Sequence, residues 1–169
     1  TGSGPAHLHF EVRDAANRAV NPAALGYTWD DATPPRPAKL LVCPAGPDSR
    51  VNGAPAPAVF PLEKDASGRY ACPPVRVAGP VGIGVEYADL EPDGPRMGAH
   101  RVRLTMDAAE LYTVQYDALS YTHYRHNMVT YHPYLDGLGR FLLLWRWPDN
   151  LSGCLPAAPR DGWVDAGDA

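Results

Sequence analysis

The chain has 169 residues, 45% of them hydrophobic and 20% charged, with a formal net charge of -4. That is the make-up of one globular domain, or one domain plus a fragment, with enough apolar residues to bury a core. Nothing resembling a basic nucleic-acid footprint occurs, and no apolar run approaches the roughly 20 residues of a membrane-spanning helix. Nineteen prolines and 16 glycines cut the chain into short pieces and exclude long helices.

The chain starts TGSGPAH, with no n-region, so no signal peptide is read in it. The next stretch, AHLHFEVRD, alternates with period two. Leu8, Phe10 and Val12 share one face of the expected strand, and His7, His9, Glu11 and Arg13 share the other. The apolar face is expected to anchor the strand in a core. Asp14 to Asn17 supplies turn chemistry, and Pro22 limits helix before it. Residues 28–38, TWDDATPPRPA, hold three prolines and two adjacent acids, the composition of a linker and domain boundary.

Beyond the linker, KLLVC, APAVFPL, GRYACPPV, PVGIGVEYADL, HRVRLTMD, ELYTVQYDAL and GRFLLLWRW read as short strands. Turn signals VNGA, ASG, PDGP and DGLG separate them. This spacing predicts an antiparallel β-sandwich over residues 38–169. Asp89, Asp93 and Gly94 punctuate a hairpin, and Val102 and Leu104 alternate inward. ALSYTHYRHNMVTYHPYL is the least regular stretch, a long loop or a short helix. Its tyrosines could line a binding groove. The end, GWVDAGDA, shows no clear final strand, so truncation there is a reading too.

The three cysteines, Cys43, Cys72 and Cys154, match no C-x-x-C metal spacing. A Cys43–Cys72 disulfide would fit an oxidising compartment, and buried or idle thiols fit the spacing equally well. The odd count leaves Cys154 unpaired either way.

Histidines at i and i+2 of a strand point the same way, with Cα atoms about 6.5–7 Å apart. Both rings can then converge on one metal ion, or one can ligate while the other works beside it. A bare H-x-H also arises by chance on a solvated strand. Its surroundings are more specific. Thr1-Gly2-Ser3-Gly4-Pro5-Ala6-His7-Leu8-His9-Phe10-Glu11-Val12-Arg13, followed by Val20-Asn21-Pro22, resembles the last motif of the LytM/lysostaphin-type zinc endopeptidases. Those enzymes cut the peptide cross-links of bacterial peptidoglycan. The resemblance covers roughly residues 1–27, and Ala6 is its one departure, lengthening the loop before the first His.

The resemblance implies that His9 is a zinc ligand and His7 a catalytic histidine beside the attacking water. Glu11 and Arg13 are read as solvated strand residues. It implies a Zn2+ cofactor, a peptidoglycan peptide substrate and an extracytoplasmic location, while the composition read above points to no nucleic acid and no membrane span in this chain. A catalytic zinc needs three protein ligands and a water. The family draws the other two from an upstream H-x-x-x-D motif, and has a further catalytic His upstream as well. The chain is therefore read as mainly β. Residues 1–33 are the C-terminal end of a truncated LytM-type β-sheet domain plus linker, and an immunoglobulin/fibronectin-like β-sandwich follows.

His132-Pro-Tyr-Leu-Asp136 has H-x-x-x-D spacing, but lies after the H-x-H strand and carries Tyr134 where the family usually has Gly. It is read as coincidence. His100, His123 and His126 are read as surface or partly buried polar residues. Cupins add a Glu four or five residues after H-x-H, where Arg13 and Asp14 stand here. Carbonic anhydrases of the α type need a third strand histidine. The alternative function is a non-enzymatic envelope protein, with a degenerate LytM-like domain and a β-sandwich binding module.

Overall fold

The structure, a computed structural model, describes residues 10–27, 32–90, 96–122, 125, 126, 129–132, 135, 137–147, 150 and 161–165. These residues are mainly β, in several antiparallel sheets. No described helix is long and apolar enough to cross a membrane.

The strands in chain order are β1 (Val12–Arg13), β2 (Ala19–Val20), β3 (Arg36–Pro44), β4 (Arg50–Val51), β5 (Ala58–Pro61), β6 (Glu63–Lys64) and β7 (Tyr70–Ala71). They continue as β8 (Val77–Ala78), β9 (Val81–Leu90), β10 (Arg96–Met97), β11 (Arg101–Met106), β12 (Ala109–Gln115), β13 (Ala118–Leu119) and β14 (Leu142–Leu143). Each of the seven runs expected after the linker contains at least one of these strands. VNGA and ASG lie at turns between them, whereas Asp93 and Gly94 of the expected PDGP turn lie outside the described residues. Asn52 (φ 51°) and Gly53 (φ 85°) adopt the left-handed conformation that an Asn-Gly turn supplies. Asp65 Oδ1 accepts from the Ser67 and Arg69 amides and closes the β6–β7 hairpin.

The main sheet runs β10-β9-β3-β5, and β14 pairs with β9 beside β10. β3 is its centre. Leu40↔Val85, Leu41↔Gly84, Val42↔Ile83 and Cys43↔Gly82 face each other across β3 and β9. Leu40 and Val42 turn to one face, where Val42, Val51 and Val81 form a buried cluster with Phe60, Val77 and Ile83. On the same face, Tyr112 and Val114 of β12 and Val102 and Leu104 of β11 pack over Ile83, Val85 and Tyr87. The β11–β12 hairpin thus forms a second layer, and Val102 and Leu104 alternate inward as expected.

The opposite face is filled differently. Leu41, Cys43, Phe141, Leu143 and Trp145 cluster there, with Trp147 and Trp163 against them. Trp145 lies 6.0 Å from Trp147 and 5.4 Å from Trp163, centroid to centroid. The Trp145 and Trp147 indole N–H groups are buried and have no hydrogen-bond partner among the described residues. β9 makes room by presenting glycines: a Cβ on Gly82 would stand 2.6 Å from Trp145 ring carbons. Cys43 and Cys72 are free thiols. Burial pushes the Cys43 thiol pKa up.

Two ties close the unit. Val164 exchanges backbone hydrogen bonds with Val81 at 2.8 and 2.9 Å, a one-residue bridge too short to register as a strand in GWVDAGDA. Glu86 clamps the 135–140 turn: Lys39 Nζ is 2.9 Å from its carboxylate and donates to Leu138 O at 2.7 Å, while the Arg140 amide donates to Glu86 Oε1.

Gly82→Ala is expected to destabilise the protein by about 1–3 kcal/mol, because the added methyl overlaps the Trp145 ring and forces repacking. Urea unfolding followed by tryptophan fluorescence measures it, and Gly46→Ala, with nothing within 4 Å of the new Cβ, is the control.

Candidate functional site

His7 and His9 lie outside the described residues, as do Leu8, His123 and Asp136. The description begins at Phe10, immediately after His9, and the local structure that carries the H-x-H motif onward can be followed from there. Val12 pairs with Val20 and Arg13 with Ala19, so β1 and β2 form a hairpin. Asp14 builds its turn: Oδ1 accepts from the Ala16 and Arg18 amides at 3.0 and 2.9 Å, and Oδ2 from Arg18 Nε at 2.7 Å. These bonds, the Arg18 amide foremost, hold the Asp14 carboxyl below its ordinary pKa. Asn17 completes the turn in the left-handed conformation (φ 59°).

The Val-Asn-Pro element has a structural job as well. Asn21 caps the 3-10 turn Pro22–Leu25 by accepting from the Ala23 amide at 3.0 Å, Pro22 starts the turn, and Gly26 ends it at φ 84°.

β2 does not end the sheet. β13 pairs with its free edge, Ala118 opposite Val20 and Leu119 opposite Ala19, and the Asn21 amide donates to Asp117 O at 2.8 Å. Asp117 also receives His100 Nε2 at 2.8 Å and Gln115 Nε2 at 2.6 Å, and the His100 contact, then the Gln115 one, lower its pKa. The segment 10–27 is thereby stitched to a strand about a hundred residues on.

Side chains reinforce this. The Tyr121 hydroxyl donates to Glu11, and the Arg13 guanidinium sits 4.6 Å above the Tyr121 ring while its Nε bonds Glu11. Tyr121, then Arg13, hold the Glu11 carboxyl below its ordinary pKa, and the same Glu11 contact raises the Tyr121 phenol. Glu11 and Arg13 are exposed in part, as the sequence implies, yet both are engaged. Phe10 departs from the expectation of an anchored apolar face. It is 62% exposed and meets Tyr27 edge-on at 5.5 Å instead of entering a core. The buried clusters lie on the main sheet, and Phe10 belongs to none of them.

The remaining histidines divide. His100 is exposed in its bond to Asp117, and His126 is half-buried. His132 is 8% exposed, its ring edge-on to Trp147 at 6.5 Å and its amide bonded to Phe141 O. That is a packing position. Among the described residues, no three His, Cys, Asp or Glu side chains gather where they could hold a metal ion. A groove of about 410 Å³ opens between Phe60, Pro61, Glu63, Lys64, Cys72 and Pro73. No histidine lines it, and the nearby Asp65 is committed to its turn. Tyr121 and Asp117 were not singled out from the sequence. Tyr121 falls in the irregular Tyr/His stretch and Asp117 inside the run ELYTVQYDAL, with no local signal that either faces the first thirty residues.

Compared with protein-family models, with curated proteins and with solved structures, the chain gives no match.

Burial lowers the His132 pKa below its ordinary 6.5. The unfolded chain then binds the extra proton first, so stability rises with pH up to the unfolded pKa and levels off above it. Chemical denaturation at about pH 7.5 and about pH 5.5 is expected to show a lower midpoint in acid, with a smaller drop in His132→Leu.

Proposed function

We propose that residues 1–27 supply the last strand and following turn of a LytM/lysostaphin-type zinc endopeptidase site, acting on peptide cross-links of bacterial peptidoglycan outside the cytoplasm. The observation that carries this reading is the run Gly4-Pro5-Ala6-His7-Leu8-His9-Phe10-Glu11-Val12-Arg13 followed by Val20-Asn21-Pro22. Support comes from the described half of it. The strand pair β1–β2, the Asp14 turn and the Asn21 cap give each of the later motif residues a definite local task.

On this reading His9 would hold zinc through a ring nitrogen, and His7 would take or give a proton at the attacking water or stabilise the developing oxyanion. The metal would supply polarisation of the scissile carbonyl and a water of lowered pKa. Beside His9, the resemblance implies two further zinc ligands, the His and Asp of an H-x-x-x-D segment. The β-rich unit from residue 38 onward serves beside that site as an immunoglobulin- or fibronectin-like spacer or wall-binding module.

The 169 residues alone are expected to cleave no cell-wall peptide, with or without added zinc. In a protein carrying them behind an H-x-x-x-D segment, His9→Ala should lose stoichiometric zinc. His7→Ala should keep the metal and lower kcat/KM by about 10²- to 10⁴-fold. Absence of zinc from such a protein, together with saturable retention on purified cell wall, would replace the peptidase with a non-enzymatic envelope protein.

A further inference from the structure

We infer that residues 10–27 form a strap that opens from the β-rich unit and recloses on it while the main sheet stays folded, with Tyr121 and Asp117 as its fasteners. The strap is made of described residues alone. It is independent of the endopeptidase reading, and zinc content bears on that reading only.

The two sides of this joint are built differently. None of residues 10–27 is buried, and none belongs to or packs against the three buried clusters. Phe10, Leu25 and Tyr27 are exposed. The order of the segment comes from local bonds: the β1–β2 pair, the Asp14 turn and the Asn21 cap. A two-stranded hairpin without a further layer is marginal in water. The receiving side is anchored. Leu119 of β13, and Tyr116 shortly before it, pack against the cluster of Tyr112, Val114, Leu142 and Leu144. A segment with few buried apolar contacts and exposed hydrogen bonds opens at a lower free energy than the core it rests on.

The ties that carry the segment onto the β-rich unit fall in the window 117–121. β13 pairs with β2 on the side away from β1, through Ala118↔Val20 and Leu119↔Ala19. The Asn21 amide donates to Asp117 O at 2.8 Å. Tyr121 reaches past β2 to the residues of β1. Its hydroxyl donates to Glu11, and its ring lies 4.6 Å beneath the Arg13 guanidinium, whose Nε bonds Glu11. A phenol supplies a donor and a π face at once, and neither phenylalanine nor serine does. Asp117 is set in turn by His100, just before β11, and by Gln115 at the end of β12. These ties are few, exposed and clustered. Loss of one loosens the joint by the worth of one bond, and the segment leaves as a unit when all let go. Opening bares the β2-facing edge of β13.

Native-state amide exchange on the full 169-residue chain, in dilute urea, is the test. The Asn21 amide and those of β2 report the strap. The Val81, Leu143 and Leu144 amides, bonded to Val164 O, Thr130 O and Ile83 O, report the core. Strap amides are expected to exchange through an opening that depends weakly on urea, because it exposes little surface, and core amides through one that depends on it steeply. Tyr121→Phe and Glu11→Ala should each speed the strap amides about three- to tenfold. The double variant should fall short of the product of the two, since both remove the same bond. Gly82→Ala weakens packing that stays intact when the strap opens. It is expected to speed the core amides about fivefold or more and to leave the strap amides unchanged. Tyr27→Phe, which spares the fasteners, should alter neither set. Strap amides that speed up with the core in Gly82→Ala, or that share its urea dependence, would overturn separate opening. Strap amides indifferent to Tyr121→Phe would overturn the fastener, and exchange at the rate of an unstructured peptide in the parent chain would overturn the closed strap.

Discussion

Strand β3 is buried on both faces, and most of the structure follows from how the two faces are filled. A strand covered on one side alternates apolar and polar residues; one covered on both sides reads as a continuous apolar run, as Leu40-Leu41-Val42-Cys43 does. On the β9 side the two faces receive opposite treatment. Val81, Ile83, Val85 and Tyr87 present bulk to the β11–β12 hairpin, while Gly82 and Gly84 present none and leave a hollow for Leu41 and Trp145. A strand-interior glycine costs roughly 0.5–1 kcal/mol relative to alanine. A buried tryptophan removes on the order of 150–250 Å² from water, worth roughly 4–6 kcal/mol at about 25 cal/mol per Å². The tryptophan wins that comparison comfortably, which explains why a strand centre tolerates two glycines.

The consequence is a layer made of single residues rather than of a second sheet. Phe141, Leu143 and Trp145 come from the β14 region and Trp163 from the far end of the described chain. Each needs its backbone tied locally. β14 is held by β9, Val164 by Val81, and the turn before β14 by the Lys39–Glu86 pair. Glu86 works through geometry more than through charge. Half-exposed ion pairs are worth little by themselves, but this carboxylate also accepts the Arg140 amide, and Lys39 also satisfies the Leu138 carbonyl. One cross-strand pair thus fixes both ends of a turn that would otherwise have no partner on the sheet.

Elements stabilised by local pattern were legible in the sequence. The alternation of Val102 and Leu104, the Asn52-Gly53 turn and the Asp14 turn are set within a few residues, and each is found as expected. What depends on distant partners was not legible. Nothing in Val81-Gly82-Ile83-Gly84-Val85 tells that Trp145 occupies the glycine side. The run ELYTVQYDAL reads as one strand because its composition is uniformly strand-like. It divides after Gln115, because Asp117 turns to engage Asn21, His100 and Gln115 while Ala118 and Leu119 leave β12's path for β2. Phe10 shows the reverse case: alternation places it with Val12 on an apolar face, but a face is buried only where another layer arrives, and here only Tyr27 does. As for the candidate site, the H-x-H motif and its following Val-Asn-Pro were visible as residues. The contact of Glu11 and Arg13 with Tyr121 was not, since a sequence separation of 110 residues carries no periodic signal.

That contact changes how the linker is understood. Proline-rich composition at residues 28–38 marks a boundary in the chain, and such boundaries ordinarily permit relative motion of the parts they join. Here the parts on either side share a sheet, a backbone hydrogen bond and a phenol gripped by two side chains. Each tie is small and partly exposed, and none alone would hold a strand of two residues in place. Together they act on one short segment, so releasing one leaves the others to keep it aligned.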